Sequence, residues 1–385
     1  MRGSIARRGR ESWRLRFDVG VDANGKRKVQ SVTVRGTKRQ AQAKLTELLA
    51  AVDMGGFVAP SKVTVAEHVR ARLAQWTAAG EIGEKTLERY AELIENQIVP
   101  HIGAKILQRL RPIDIEAWHT TLRTGGRKGG GGLSARTIGH AHRLLSKSLR
   151  EAVKFELALR NVAGRDGQRA PRVHEQEIAI IPADRIDEVV ERLRGRAIYP
   201  KVIVALFTGM RRSEILALRW SNIDPTAKEI RVREAIEETK RHGLRFKSTK
   251  TKNGRRDIAL PEIVVDALAE HRRLQLEWRM KMGLGRSKDD LVFPALHGGP
   301  QSPHDLSGDW RELAATFGLG DVTFHGLRHT HASQLIAAGV DVVRVSKRLG
   351  HASPKITLAV YAHMFNKRDD ISAAAINAAL NVSRP

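Results

Sequence analysis

Two aperiodic stretches that contain glycine and proline most constrain how this chain of 385 residues can fold. The first, GGFVAPSK, spans 55–62, and the second, NVAGRDGQRAPRV, spans 161–173. Glycine and proline interrupt helices and strands alike, so regular structure is not expected to continue through either stretch. We therefore predict three domains, 1–57, 63–160 and 175–385, each able to bury a core of its own.

The first domain is predicted to contain strands followed by one helix. Apolar and polar residues alternate through 13–19 and again through 28–34, the period of half-buried strands. The turn signal DANG at 22–25 lies between them, and Thr37 with Gln40 forms a capping box that opens the helix. A sheet of this size fits a DNA groove.

Charge points to a polyanionic partner. The first domain has thirteen Lys or Arg and five Asp or Glu, a net charge of +8, and the whole chain carries +25 with a pI near 10.8. Each phosphate that a basic side chain neutralises releases condensed counterions, so we expect double-stranded DNA as a partner. The side chains predicted to contact DNA are the basic residues of the two strands and their turn: Arg14, Arg16, Lys26, Arg27, Lys28 and Arg35.

The other two domains differ in periodicity. The middle one carries the helical period, and the capping box of Thr64 and Glu67 opens its first helix. Further helices are predicted at 84–99, 112–123 and 134–157, then at 183–195, 197–208 and 212–220 in the third domain, with strands at 229–236, 244–250 and 255–260. The Asn253-Gly254 pair predicts a hairpin of the last two strands.

Composition also limits the kind of site and the compartment. The chain has no cysteine, so disulfides and thiolate metal sites are excluded. No run of eighteen apolar residues is present, and the charged N-terminus lacks the apolar stretch of a secretion signal. We expect a cytoplasmic protein with no membrane partner.

Two motifs supply cations for a candidate site. FTGMRRSEILALRW places Arg211 and Glu214 three residues apart, on one face near a helix start. KSTKTKNGRRDIALP places Lys250 and Lys252 on the same side of a strand. Taken singly, these motifs favour a structural interpretation, a surface salt bridge for the first and an exposed basic hairpin tip for the second.

A third motif, TFHGLRHTHASQLIAAG, is rich in histidine. His325 and Arg328 share a helical face, and His329 follows His325 by one turn. Together with His331 these histidines raise the possibility of a zinc cluster. No carboxylate or further ligand stands at a suitable spacing, so no metal site is predicted.

The fourth motif, HASPKITLAVYAHM, holds one of only three tyrosines in the chain. Tyr361 follows His351 by ten residues, and helical periodicity alone predicts a core aromatic. The combined set of two arginines, a lysine, two histidines and a tyrosine suits the attack of a tyrosine hydroxyl on a phosphodiester. Guanidinium groups bind the non-bridging oxygens, and a lysine can protonate the leaving 5′ oxygen, so the reaction needs no metal.

In order and spacing this set resembles the tyrosine recombinase, or phage integrase, family. The family pattern stands here as Arg211, Lys250, His325, Arg328, His351 and Tyr361. The resemblance implies a lambda-type, multidomain architecture, mainly α with small β elements (α+β). Its parts would be an arm-binding domain with a three-stranded sheet plus a helix, a helical core-binding domain and a mixed α/β catalytic domain.

The resemblance further implies a function and partners. The protein would be a site-specific DNA recombinase that integrates or excises a phage or other mobile element through a 3′-phosphotyrosine, without ATP or another cofactor. Four protomers would assemble on two attachment sites in the bacterial cytoplasm or nucleoid. Host DNA-bending and excision-directing factors are further expected partners.

The resemblance also gives each site residue a role. The expected roles are a phosphate clamp for Arg211 and Arg328, leaving-group acid for Lys250 with Lys252 as its rival, proton transfer with the tyrosine for His325, a phosphate hydrogen bond for His351, the nucleophile for Tyr361 and orientation of the arginines for Glu214.

Two other functions and one structural question stay open at this point. A type IB topoisomerase-like nicking and closing activity shares the phosphotyrosine chemistry. A non-catalytic DNA-binding protein could keep the fold, although burying unused charges costs stability. The sequence also leaves open whether a C-terminal helix at 367–381 docks on its own protomer or on a neighbour.

Overall fold

The computed structural model describes residues 3–21, 25–173, 178–248, 254–283, 285, 289–365, 376–377 and 380. The chain divides into two compact units, Met1–Glu175 and Gln176–Pro385. Both are mainly helical with small antiparallel sheets, as predicted. No helix within the described ranges is long and apolar enough to cross a membrane.

The first unit begins with an antiparallel sheet that one helix covers. Its elements are β1 (Gly3–Gly9), β2 (Ser12–Val21), β3 (Arg27–Arg35) and α1 (Lys38–Asp53), with strand order β1-β2-β3. Leu15 and Phe17 of β2 are buried in one cluster with Leu45 of α1. The predicted three-stranded sheet and helix are confirmed, and Thr37 and Gln40 form the predicted capping box.

The rest of the first unit is helical and has a separate apolar core. Its helices are α2 (Val65–Ala78), α3 (Glu84–Leu93), α4 (Val99–Ile102), α5 (Pro112–Gly125) and α6 (Ala135–Lys154). The predicted helix at 84–99 contains a π-helical turn, Ile94–Ile98, just before Pro100. Proline has no N–H to donate and its ring crowds the preceding turn, which favours the wider turn there.

The second unit is built around a buried apolar helix. Its first elements are α7 (Ile186–Leu193), α8 (Tyr199–Thr208), α9 (Arg212–Leu216), β4 (Ile223–Asp224), β5 (Glu229–Val232), β6 (Glu234–Thr239), β7 (Gly243–Ser248) and β8 (Arg256–Ala259). They are followed by α10 (Glu262–Lys281), α11 (Pro303–Thr316), α12 (Phe324–Ala337), α13 (Val342–Leu349) and α14 (Pro354–Phe365). Because α8 is apolar on nearly every side, it packs between α10 and α12 in the core.

The predicted hairpin of the strands on either side of Asn253-Gly254 is wrong. β7 pairs with β6, whereas β8 pairs with β5 in the sheet β4-β5-β8. The predicted strand at 229–236 is accordingly two strands that separate at Arg233. Ile230 of β5 pairs with Ile258 of β8, and both are buried, so core packing draws these strands together. Asn253 itself lies outside the described residues.

The predicted helix at 212–220 is too long. It ends at Leu216, and the backbone then joins a neighbouring extended segment: Trp220 N–H donates to the carbonyl of Asp290, and Val292 N–H donates to that of Leu218. Pairing with this segment satisfies the polar groups that a longer helix would otherwise have bonded.

The second unit also has a smaller, separate apolar core formed by α12, α13 and α14. Ala332 and Ile336 of α12, Val345 and Leu349 of α13, and Tyr361 of α14 form one buried cluster. Apart from 376–377 and 380, the predicted C-terminal helix at 367–381 lies outside the described residues.

Candidate active site

Arg211 is fixed at the junction of α8 and α9. Its backbone N–H and its Nη1 both donate to the Glu214 carboxylate, at 2.8 Å each. These two bonds cap the first turn of α9. Its Nη2 donates to the carbonyl of Gly350 at 2.9 Å. The guanidinium is therefore held from two elements, while 38% of the side chain stays exposed.

Glu214 is the buried anion that this arrangement depends on. Arg256 of β8 donates to both of its carboxylate oxygens, at 2.8 and 3.1 Å, and donates from Nε to the carbonyl of Arg348. Burial alone would raise the pKa of Glu214, but the bonds and charges of Arg256 and Arg211 outweigh it and lower that pKa. Glu214 thus stays ionised and ties two guanidinium groups together.

Arg328 is a buried cation with an incomplete set of partners. Its Nη1 donates to the carbonyl of Gly209 at 2.6 Å, and its side chain is almost fully buried. Within the described part of the chain, Nη2 finds no hydrogen-bond partner. Burial, followed by the nearby charge of Arg211, lowers the pKa of Arg328 to about 9. The group remains charged at neutral pH, and an anion is the partner that it lacks.

Two glycines anchor this pair of arginines. Gly209 ends α8 and Gly350 ends α13, both with left-handed backbone (φ 67° and 68°). Their carbonyls bind Arg328 and Arg211 respectively. A Cβ on Gly209 would lie 2.6 Å from a ring carbon of His331, so neither the backbone nor the space admits a side chain there.

Two histidines complete a shared cavity of about 510 Å³. It is lined by Arg211, Glu214, Ala235, Lys247, Ser248, Gly254, His325, Arg328, Gly350, His351, Ala352 and Ile356. His351 shares a 2.8 Å hydrogen bond between Nδ1 and the hydroxyl of Thr357. Desolvation and then the surrounding arginines lower the pKa of His351 to about 4, and the same causes lower the pKa of His325. Both imidazoles are therefore neutral at pH 7.

Tyr361 is held away from bulk solvent. It is 4% exposed in the small cluster of α12, α13 and α14, and its hydroxyl lies 2.6 Å from Nδ1 of His329. Burial raises the pKa of Tyr361 to about 12. Tyr361 is not one of the described residues that line the cavity, but His329 lies beside Arg328 on α12 and its ring meets that of His325 at 4.8 Å. The hydroxyl of Tyr361 is thus connected to the cavity residue His325 through His329.

The structure brings most of the predicted site residues together and leaves two undescribed. The residues that share one cavity are Arg211, Glu214, His325, Arg328 and His351. Lys250 and Lys252 lie outside the described residues. The described lysine at the cavity is Lys247, whose Nζ is 2.8 Å from Glu237.

Sequence reasoning missed Arg256 and the bond between His329 and Tyr361. Arg256 follows another arginine in a strand that exposes alternate residues, so no local pattern marks it as the partner of Glu214. His329 drew attention only as one of three closely spaced histidines. Its partner lies 32 residues away, on another helix.

The histidines of α12 engage separate partners. His331 shares a bond from Nδ1 to the carbonyl of Leu206 at 2.9 Å, and Nε2 accepts from Arg348 at 3.0 Å. In the portion of the chain with described structure, no group of three or more His, Cys, Asp or Glu could hold a metal ion.

The basic residues of the N-terminal sheet lie mostly on its exposed face. Arg14 and Arg16 of β2 stand opposite Thr33 and Ser31 of β3, and Arg35 pairs with Ser12 in the same register. Alternation places these side chains on the face away from α1. The remaining predicted contacts, Lys26, Arg27 and Lys28, are exposed near the start of β3, and Arg27 is paired with Asp18 at 2.5 Å.

Comparison with known proteins gives this fold and site a context. Residues 179–368 match the model of the phage integrase family, and 71–123 match that of the phage integrase N-terminal SAM-like domain. The chain is similar to the tyrosine recombinase XerC-like protein of Caldanaerobacter subterraneus, with 26% identity over 97% of this chain and 98% of the relative. It is also similar to an integrase of Streptomyces ambofaciens, with 27% identity over 91% and 89%.

Solved structures share the fold. The Tn1549 transposon integrase in complex with transposon right end DNA aligns with a TM-score of 0.69 and 20% identity, covering 83% of this chain and all of that one. A lambda integrase dimer bound to a COC′ core site aligns with a TM-score of 0.55 and 17% identity over 94% and 95%.

Proposed function

Because this chain belongs to the phage integrase family of tyrosine recombinases, whose members cut and rejoin DNA, we propose that Tyr361 attacks a DNA phosphodiester to form a 3′-phosphotyrosine. One observation carries this proposal: a single cavity gathers two arginines and two neutral histidines, and a buried Nη2 of Arg328 lacks a partner among the described residues. A phosphate group would satisfy that nitrogen and offset the excess positive charge.

Arg211 and Arg328 form the proposed phosphate clamp. Attack by the tyrosine oxygen concentrates negative charge on the non-bridging oxygens of the five-coordinate state. Both guanidinium groups are already held by backbone carbonyls, so they need little reorganisation to bind that charge. Glu214 acts through Arg211 by fixing its orientation.

The two cavity histidines are proposed to act as neutral groups. His351, which Thr357 orients, can donate a hydrogen bond to a phosphate oxygen. His325 is exposed at the cavity and contacts the ring of His329. We propose that it assists proton transfer during the attack by Tyr361.

A lysine of the segment after β7 is the proposed leaving-group acid. Lys250 is the first choice and Lys252 its rival, and both lie outside the described residues. The assignment is supported by the described residues on either side of this segment, since Ser248 and Gly254 both line the cavity. Protonation of the leaving 5′ oxygen would complete the exchange of one phosphate ester for another.

The substrate is proposed to be the attachment-site DNA of a phage or other mobile element, acted on in the bacterial cytoplasm by four protomers. Host DNA-bending and excision-directing proteins would be further partners. The proposed domains are the arm-binding domain (1–57), the core-binding domain (63–160) and the catalytic domain (175–385). Separate apolar clusters support this division, and the middle cluster extends past 160 to Val162 and Ala163.

The arm-binding role has a direct test on the exposed sheet face. Replacing Arg14 and Arg16 together with alanine removes two phosphate-binding charges, so the slope of log affinity against log salt should become shallower by about two. Replacing Lys44 and Glu47, which are paired on α1, should leave the slope unchanged. Equal slopes in wild type and the double arginine variant would contradict the assignment of this face to DNA.

The proposed chemistry is tested with a nicked suicide duplex taken from the DNA flanking the gene. Cleavage releases a short strand, so the covalent intermediate accumulates and migrates as a protein–DNA band. Wild type should form the band, and Tyr361→Phe should form none while still binding the duplex. The control is Tyr199→Phe, which should cleave like wild type. A band with Tyr361→Phe would show that another residue is the nucleophile.

A further inference from the structure

His329 is the described residue that touches the hydroxyl of the proposed nucleophile. Its Nδ1 lies 2.6 Å from the Tyr361 oxygen, and the two ring centroids are 5.8 Å apart. Its neighbour in sequence, Arg328, lines the phosphate cavity, and the ring of His325 meets it edge to face at 4.8 Å. His329 therefore contacts both the cavity residue His325 and the hydroxyl of Tyr361.

At neutral pH this hydrogen bond joins two uncharged groups. Burial, and then the charges of His325 and Arg328, lower the pKa of His329 to about 4. Burial raises the pKa of Tyr361 to about 12. The phenol therefore keeps its proton and the imidazole is uncharged, and in the tautomer with its proton on Nε2 the imidazole accepts from the phenol at Nδ1.

Packing holds the tyrosine against its own chain. The apolar neighbours of Tyr361 are Ala332 and Ile336 of α12 and Val345 and Leu349 of α13. α14 also contacts both helices. The hydrogen bond and this apolar contact fix the same end of α14 on the same protomer.

We propose that His329, which directly follows Arg328 in sequence, is the positioning residue for the nucleophile. It docks the hydroxyl of Tyr361 of the same protomer. This inference rests on the proposed function, because it assigns a role within the same reaction. His329 accepts the phenolic hydrogen bond, fixes the rotation of the tyrosine side chain and sets its distance from the cavity. When a phosphate enters the cavity, the nucleophile on α14 is then already held against α12, the helix that carries Arg328.

His331 provides a contrast for a histidine whose role is structural. Both of its ring nitrogens bind groups outside the cavity, the carbonyl of Leu206 and the guanidinium of Arg348. His329 instead binds the reacting hydroxyl. Replacing a structural histidine should lower stability and leave the environment of the tyrosine oxygen unchanged, whereas replacing His329 should change that environment at once.

The first test uses the full-length protein without DNA. Tyrosine labelled with ¹³C at Cζ gives three signals, because the chain has three tyrosines, and Tyr361→Phe assigns the signal of interest. His329→Phe removes the acceptor and should shift the Tyr361 signal alone. His329→Asn places an amide oxygen near the position of Nδ1 and should restore it. Unmoved signals of Tyr90 and Tyr199 report that the fold is intact.

The second test measures single-turnover formation of the covalent band at saturating nicked duplex. His329→Phe should slow it about tenfold to a hundredfold without changing the affinity for DNA, since a displaced nucleophile costs rate rather than binding. His329→Asn should recover to within a few fold of wild type. An unshifted Tyr361 signal in His329→Phe, or an unchanged rate, would overturn the role of His329.

The two tests separate the two proposals. If wild type formed no covalent band, the recombinase chemistry at Tyr361 would be wrong. The labelled-tyrosine measurement would still decide whether His329 docks Tyr361, because it uses neither DNA nor turnover.

Discussion

The two halves of the candidate site are held in different ways. The arginine half rests on a buried network in which Glu214 binds Arg211 and Arg256, and it is built on the large core of the second unit. The tyrosine half rests on a cluster of five buried residues and on one hydrogen bond between side chains, from Tyr361 to His329. The difference indicates that the phosphate clamp is rigid and that the nucleophile is held in position by fewer contacts.

The largest effect is expected from removing the anion of the arginine half. Glu214→Ala leaves Arg256 buried without its counter-charge, and loss of one partner from a buried ion pair typically costs about 3–5 kcal/mol. Urea unfolding measures the change. The control is Glu191→Ala, which breaks an exposed pair with Arg194 and should have little effect. Similar small losses in both variants would show that the arginine half is not the rigid one.

Removing a clamp residue should affect the reaction more than the fold. Arg328→Ala should slow single-turnover cleavage by about a hundredfold to a thousandfold, the usual effect of losing one preorganised donor. Binding of duplex DNA should persist, because many other cations contact the backbone. The matched variant Arg328→Lys keeps the positive charge but loses the forked pair of guanidinium donors, so its cleavage should remain slow. If binding fell as steeply as cleavage, Arg328 would be a docking residue instead.

Acid should destabilise the fold through buried histidines in both halves of the site. Burial lowers the pKa values of His329 and His331 from 6.5 to about 4, so between those values the unfolded state binds more protons and stability falls as pH falls. The pKa of Glu214 is lowered as well, and its charge therefore persists to more acidic pH. Unfolding free energies from pH 6.5 to 4.5 should decline more steeply in wild type than in His331→Gln. Exposed His304→Gln should follow the wild-type slope.

The smallest effect is expected from removing the tyrosine hydroxyl. Tyr361→Phe loses one hydrogen bond to a neutral partner and keeps the ring in its apolar cluster, so the free energy of unfolding should fall by about 1 kcal/mol. Urea unfolding at pH 7 measures it. A loss comparable to that of Glu214→Ala would mean that the two halves are equally rigid and would remove the basis of the comparison.

Sequence analysis found the residues that sit in recognisable motifs and missed those paired by tertiary structure. Arg211, Arg328 and His351 follow from spacing along single helices or at their ends. Arg256 reaches Glu214 across 42 residues, because β8 pairs with β5 rather than with β7. An Asn-Gly pair signals a local turn but carries no information on which strands pair in a sheet. The same limit applies to the helix after Arg211, which ends early because the following backbone bonds with a segment 70 residues further on.

Gly209 and Gly350 give the phosphate clamp an unusual pattern of mutational sensitivity. The contacts that seat Arg328 and Arg211 are made by main-chain oxygens, so no side-chain exchange can delete either acceptor. The backbone bends that aim those oxygens, however, admit glycine with ease and other residues only under strain. A saturation scan should therefore find these two glycines about as intolerant as the arginines, although neither carries a reactive group. Selection for the geometry of the clamp would therefore act to retain glycine, a residue without a side chain, at these two positions.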